Sequence, residues 1–262
     1  MKYLLCIMVI LIIYVYYKLF CDIKNEFLKR SNLKILHLVL YSNNKEYDMM
    51  YDVTRNYYKN FTTITTIYYK FSDKYKVITL KDDILHIPGK ETYIPGILDK
   101  TIEAYKYYYN DNNTYDYIIR SNISTVINFK LLMLYLIKNP FQYGGGMIIA
   151  THWEDNDNGV ISRKYWQTPY VSGTAIIMSH EMFNKFMSKI DFIDHKQIDD
   201  AAIGRLMLDQ FPDIKVHDIN HFLHVDDDNI NNEDVFFYRN KSDDRKKDVK
   251  NMKYIVNKLN NI

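Results

Sequence analysis

Two adjacent carboxylates, Asp199 and Asp200, open the stretch IDDAAIGRLM. At a helix start acids have a structural use, because they accept from free backbone N–H groups and offset the positive end of the helix dipole. A carboxylate there can also take the proton of an unactivated alcohol, the general-base step of a displacement. Gly204, four residues beyond Asp200, allows a neighbouring backbone to approach closely. A second polar group lies in YDYIIRSNISTVIN, Tyr115 to Asn128, where Arg120, Asn122 and Ser124 follow an apolar run. This is either a plain turn or a hydrogen-bonding site, with Arg120 pairing with a phosphate or with a buried acid. Ser172-Gly173 interrupts the apolar PYVSGTAIIMS and marks close approach of a ligand or of another backbone. Trp166 and Tyr170 precede it, as stacking platforms or as core. His217 and His221 are four apart, but the surrounding text reads as strand and loop, which speaks against a helical zinc motif. His224 is the best placed of the histidines to be a ligand, and Asp226 to Asp228 after it read as a solvated turn.

The elements that must hold these residues follow from the apolar pattern. LKILHLVLYS (33–42) is a buried strand with a polar stop, and YDMMYDVTRNYYKNF has helical spacing with Met49, Met50, Val53 and Tyr57 on one side. TTITTIYYKFSDKYKVITL is rich in β-branched and aromatic residues and supplies one or two strands. ILDKTIEAYKYYYN is a helix, YDYIIR a strand, and VINFKLLMLYLIKN a helix stopped by Pro140. YGGGMIIA and PYVSGTAIIMS read as strands, HEMFNKFMSKI and IDDAAIGRLMLDQF as helices, and IKVHDINHFLHV as strand and loop. This alternation predicts an α/β domain with a central, mostly parallel sheet flanked by helices. Ligands of such sheets bind at the carboxyl ends of the strands, which puts RSNIST at the mouth of a cleft.

The domain boundaries come from composition. Residues 1–21 contain the apolar YLLCIMVILIIYVYY, read as an uncleaved transmembrane anchor with Lys18 and nearby tyrosines at the interface. The alternative is a signal peptide, against which stands the lack of a small-residue cleavage site before YYKLF. Residues 22–32 form a polar stem, 33–228 the main domain, and 229–262 a polar C-terminal extension with a loosely attached helix. The predicted location is a single-pass membrane protein, in a secretory-pathway lumen or a viral or host membrane. Basic residues after the span favour a cytoplasmic domain, whereas sequons at Asn60, Asn112, Asn122 and Asn240 favour a lumenal one. The net charge of +2, with both signs interspersed, gives no nucleic-acid footprint. Both cysteines, Cys6 and Cys21, fall in or beside the apolar run, so the domain has no disulfide, thiol nucleophile or cysteine zinc site. The abundance of Tyr, at 25 residues, with many Ile, Asn and Lys makes any single polar loop weak evidence by itself.

Taken in order, YDYIIRSNISTVINFKLL, YWQTPYVSGTAIIMSHEMFNKFM and IDDAAIGRLM resemble the inverting β-1,3-galactosyltransferases and fringe-type glycosyltransferases. Those enzymes carry an acidic strand end, then a Ser-Gly-Gly strand, then an acidic pair four residues before a glycine. YSNNKEYDMMYDVTRNYY and ILDKT are weaker echoes, and the likeness spans about residues 33–225. The chain is also similar to divergent glycosyltransferase-like proteins of large DNA viruses, in which a neutral turn replaces the acidic one. The resemblance implies a GT-A fold, a nucleotide-sugar donor such as a uridine diphosphate sugar, and a glycan or glycoprotein acceptor. It implies Asp200, beside Asp199, as the base, and donor contacts from Arg120, Asn122, Ser124, Lys100, Ser172 and Gly173. Trp166 and Tyr170 would meet the acceptor. Asn122 and Ser124 take the place of the acidic metal ligands, and His224 that of a later metal-binding histidine.

Neutral Asn and Ser oxygens are poor ligands for Mn²⁺ or Mg²⁺. Three outcomes are open at this stage: weak metal binding through Ser124 and His224, metal-free screening by Lys100, Arg120 or Arg205, or a catalytically inactive sugar- or partner-binding protein. Retention of the base with loss of the acidic bend favours the second.

Overall fold

In a computed structural model the chain is described at Tyr14, residues 16–18, 32–109, 114–150, 169–226, 229–232 and 234–261. The elements run β1 (Ile35–Leu40), α1 (Lys45–Tyr58), β2 (Ile64–Ser72), β3 (Thr79–Lys81), β4 (Ile84–Pro88), α2 (Gly96–Tyr109), β5 (Tyr117–Asn122), β6 (Thr125–Ile127) and α3 (Phe129–Lys138). They continue with β7 (Tyr143–Gly145), β8 (Ile148–Ala150), β9 (Pro169–Val171), β10 (Ala175–Ser179), α4 (His180–Met187), α5 (Asp199–Gln210), β11 (Val216–Asp218), β12 (Phe222–His224), β13 (Phe237–Arg239) and α6 (Arg245–Asn260).

The main sheet has eight strands in the order β11-β7-β10-β5-β1-β2-β4-β3. β1 shows why its sequence is apolar without a break. Ile35 and Val39 join the core on one face of the sheet with Met50, Tyr57, Phe129 and Met252, while Leu36 and Leu38 join the other with Leu98, Ile102, Phe183 and Ile203. A strand covered on both faces buries both alternating sets of side chains. Helices α1, α3 and α6 thus cover one face, and α2, α4 and α5 the other. The α/β layering is as expected, but the sheet is more mixed than the sequence suggests. Its centre, β5-β1-β2-β4, is parallel, as is β7-β11, whereas β10 lies antiparallel between β5 and β7.

YGGGMIIA, read as one strand, is divided between two sheets: β7 lies in the main sheet and β8 pairs with β9. A second correction concerns residues 229–262. β13 pairs with β6 and β12, and α6 buries Val249, Met252, Ile255, Val256 and Leu259 in the core. At ~1.5–3 kcal/mol per buried aliphatic side chain, those five contribute roughly 10 kcal/mol before ordering costs. The segment belongs to the domain, and its helix is docked. No helix among the described residues is long and apolar enough to cross a membrane. The expected anchor and stem, residues 1–32, lie outside the described residues except at Tyr14, 16–18 and Asn32.

Register determines where the site forms. Leu40 of β1 is opposite Asn122 of β5, and Ser121 is opposite Ala175 at the start of β10. The carboxyl ends of two parallel strands and the amino end of an antiparallel one therefore meet at one edge of the sheet, where a cavity opens.

Candidate active site

That cavity has a volume of about 480 Å³. Its wall includes Ser42 after β1, Asn122 at the end of β5, Ser124 just beyond it, Ser172 to Thr174 before β10, and Asp199 and Asp200 at the start of α5. The sequence motifs at 120–124, 172–174 and 199–200 converge on it.

Arg120 and Asp199 explain each other. Arg120 stands opposite Leu38 in the ladder and points to the α2/α5 face, where it is 1% exposed. Its guanidinium pairs with Asp199, donates to the Gly173 carbonyl, and donates from Nε to Tyr69 Oη at 3.3 Å. Of the two expected roles for Arg120, phosphate partner or partner of a buried acid, the structure gives the second. Asp199, 7% exposed, is consumed by that pair. Gly173 is constrained by the same contact: a Cβ there would lie 2.5 Å from Arg120 Nη1.

Asp200 is differently placed. Its Oδ2 accepts from the Gly173 N–H at 2.8 Å and its Oδ1 from the Ala201 N–H at 2.9 Å, and among the described residues it has no cation in direct contact. It keeps part of its surface open towards the cavity. Burial, and next the Asp199 charge, push its carboxyl from the ordinary 3.8 up to about 6, against the lowering effect of the Gly173 N–H and Arg120. A carboxylate poised near neutrality, fixed by two amides and facing an open volume, is suited to accept a proton. Gly204, one turn further along α5, lets that helix sit on β9, since a Cβ would come within 2.2 Å of Tyr170 Cβ.

The remaining expectations divide. Ser172 lines the cavity, with its hydroxyl 3.2 Å from that of Thr174. Lys100 does not line it. Its ammonium is buried and donates to the Tyr41 carbonyl, Ser42 Oγ and Glu91 Oε2 at 2.9, 2.9 and 2.6 Å, which ties the end of β1 to α2. Arg205 is buried within α5, outside the cavity lining. Both are therefore unsuited to the leaving-group role considered for them. Tyr170 is 7% exposed and packs on Gly204, so it is core and not an acceptor platform. Trp166 lies outside the described residues. His217 bonds Tyr135 Oη at 2.7 Å and stacks on Phe141, and His221 bonds the Asp234 carbonyl and stacks on Phe236. His224 does line the cavity.

Three cations in the wall were missed: Arg239 at the end of β13, Lys241 just beyond it, and Arg245 in the first turn of α6. They come from the stretch taken as an extension. The signal for them was VFFYRNK, an aromatic strand with a basic end, followed by the helix-capping Asp244, which accepts from Lys246 N and Lys247 N.

No protein-family model matches the chain, and no curated protein does. Among solved structures it is similar to a glycosyltransferase involved in the glycosylation of the major capsid of PBCV-1, with a TM-score of 0.45 and 10% identity over 84% of this chain and 99% of that one. It is also similar to the glycosyltransferase GlyE of Streptococcus pneumoniae TIGR4, with a TM-score of 0.31 and 10% identity over 68% of this chain and 44% of that one.

Proposed function

We propose that the chain is a glycosyltransferase that moves a sugar from a nucleotide-sugar donor, a uridine diphosphate sugar, to the hydroxyl of a glycan or glycoprotein acceptor with inversion. The observation that carries this reading is the placement of Asp200: an amide-anchored carboxylate of raised pKa in the same strand-end cavity as Asn122, Ser124 and Ser172. In the proposed step an acceptor O–H gives its proton to Asp200. Its oxygen bonds the anomeric carbon from the face opposite the nucleotide, and the bond from that carbon to the diphosphate oxygen breaks. Asp200 contributes as general base, an effect of about 10²–10⁴-fold. Asp199 and Arg120 act as positioning residues, since the pair fixes the start of α5 and the Gly173 carbonyl from behind the site.

The apolar stretch 3–21 supports a further part of the reading, a single-pass anchor that places the domain beside a bilayer. Extraction of the full chain from membranes by alkali would sink that part alone.

The catalytic reading is tested by a thermal-shift panel of nucleotide sugars, followed by donor turnover in the parent and in Asp200→Asn. Native-state ligands raise apparent stability, so the preferred donor identifies itself. Turnover lost in Asp200→Asn with donor binding kept supports the reading. Stabilisation without any turnover in the parent supports the competing one, a binding module on the same scaffold, for which the uncharged bend at Asn122–Ser124 speaks.

A further inference from the structure

The acidic bend that the resemblance leads one to expect would hold a divalent ion, and this cavity does not fit one. Ser124 Oγ accepts from Arg239 Nη1 at 2.6 Å, so the oxygen in the ligand position already faces a guanidinium. His224 shares its surroundings with Arg239 and Lys241, and burial first, then those two charges, lower its pKa. A dication at Ser124 and His224 would enter a positive field. No group of three His, Cys, Asp or Glu side chains suited to a metal occurs among the described residues.

The same positive field fits a polyanion. Arg239 is 9% exposed, and among the described residues its guanidinium bonds only hydroxyls, those of Ser124 and, at 3.5 Å, Thr125. A buried cation without a carboxylate partner is costly unless an anion comes to it. Burial first, then the charges of Arg245 and Arg120, pull its pKa down to about 10, which an incoming anion would reverse. The cluster is rigidly mounted. Arg239 is in ladder register with Thr125, the Asn240 N–H donates to the Ser124 carbonyl at 2.9 Å, and Arg245 Nη1 donates to Asp248 Oδ2 at 2.8 Å and to the Asn240 carbonyl at 3.3 Å. Lys241 is exposed at the rim of the same cavity.

We infer that Arg239, Lys241 and Arg245 form a cradle that takes the donor's diphosphate without a divalent ion, with Arg239 screening the charge on the departing diphosphate. The inference rests on the transferase reading for its substrate. Guanidinium groups suit this task because their planar donors match phosphate oxygens two at a time.

The test is calorimetric titration of the full chain with inorganic pyrophosphate and with uridine diphosphate, in chelator and in Mn²⁺. The cradle predicts affinities equal within about threefold in the two conditions and weakening with salt. Lys241→Ala, exposed and therefore harmless to the fold, should weaken uridine diphosphate about three- to fivefold. Arg239→Lys, which keeps the charge but loses the planar fork, should weaken it at least about tenfold. Tightening by Mn²⁺ of tenfold or more, or both variants binding like the parent at unchanged unfolding midpoints, would overturn it. Metal-independent pyrophosphate binding without sugar transfer would support the cradle and sink the transferase. Transfer that requires Mn²⁺ would do the reverse.

Discussion

Replacing Asp200 by asparagine separates the chemistry of the site from its stability. The carboxylate stands at about 6 instead of 3.8, raised first by burial and then by Asp199. At ~1.4 kcal/mol per pKa unit, keeping it ionised at neutral pH costs the native state up to ~3 kcal/mol. Asparagine removes that cost but turns an amide N–H towards one of the two donors now satisfied, Gly173 N or Ala201 N, at a cost of about 1–3 kcal/mol. The two effects nearly cancel, so the unfolding free energy at pH 7 should change by less than about 2 kcal/mol. Under the proposed role of Asp200 as general base, turnover should fall about 10²–10⁴-fold.

The parent chain supplies the second half of the test. A base with a pKa near 6 is ionised in about one molecule in ten at pH 5 and in about nine in ten at pH 7. Donor turnover under subsaturating conditions should therefore rise roughly tenfold between those pH values, with its midpoint near 6. An unperturbed aspartate would give a flat profile over that range. A flat profile, or an asparagine variant retaining more than a tenth of the parental rate, would refute the assignment of Asp200 as base.

Three further outcomes follow from the same geometry. Asp199→Asn strands the buried Arg120 guanidinium and should destabilise by about 3–5 kcal/mol, read as a lower urea midpoint; a midpoint equal to the parent's would mean that the pair is not formed. His37, wholly buried between Ser121 Oγ at 2.8 Å and Thr66 Oγ1 at 3.4 Å, has its pKa lowered by burial from 6.5 to about 3. It thus contributes stability that is present above about pH 6.5 and lost as pH falls towards 3, about 2 kcal/mol between pH 7 and 5. Asp200, raised instead of depressed, has the opposite sign: its contribution is present below about 3.8 and lost as pH rises through 6, so it returns up to about 1 kcal/mol over the same interval. Acidification from pH 7 to 5 should accordingly cost the parent less than it costs Asp200→Asn, and equal losses in denaturant titrations would contradict the raised pKa of Asp200. Met252→Ala, in the fully buried seam of α6, should cost about 2–5 kcal/mol, whereas a loosely attached helix would give a change near zero.

Much of this architecture is visible in the chain because local physics decides it. β1 is an uninterrupted apolar run because both faces are covered, and Asp200 followed by Gly204 marks a helix start that must sit close to another element. What could not be read is set by partners far away in sequence. Arg120 carried two readings because its acid, Asp199, comes from another element, and Lys100 could not be excluded from the cavity until Glu91 and the Tyr41 carbonyl were seen to hold it. Tyr170 carried an acceptor role on adjacency to Ser172-Gly173, and the packing against Gly204 decided otherwise. The error over the C-terminal segment has a different origin. Lysines dominate its average, yet Val249, Met252, Ile255, Val256 and Leu259 recur at helical spacing, and a periodicity test weighted by position instead of composition finds them.

The charges of the cavity gain a common explanation once the C-terminal residues are included. Its lining carboxylates among the described residues are Asp199 and Asp200, and its cations are Arg120, Arg239, Lys241 and Arg245. Asp199 neutralises Arg120, and Arg245 is held by Asp248 from behind. That leaves the exposed Lys241 at the rim, Asp200 anchored by amides and Arg239 anchored by hydroxyls, the last two without an opposite charge in contact among the described residues. Direct pairing of those two would depress the carboxyl and spoil it as a base, and would also consume the guanidinium. Their separation costs stability, and it is intelligible if the missing partners arrive with a substrate: a hydroxyl proton for the carboxylate, and a diphosphate for the arginine.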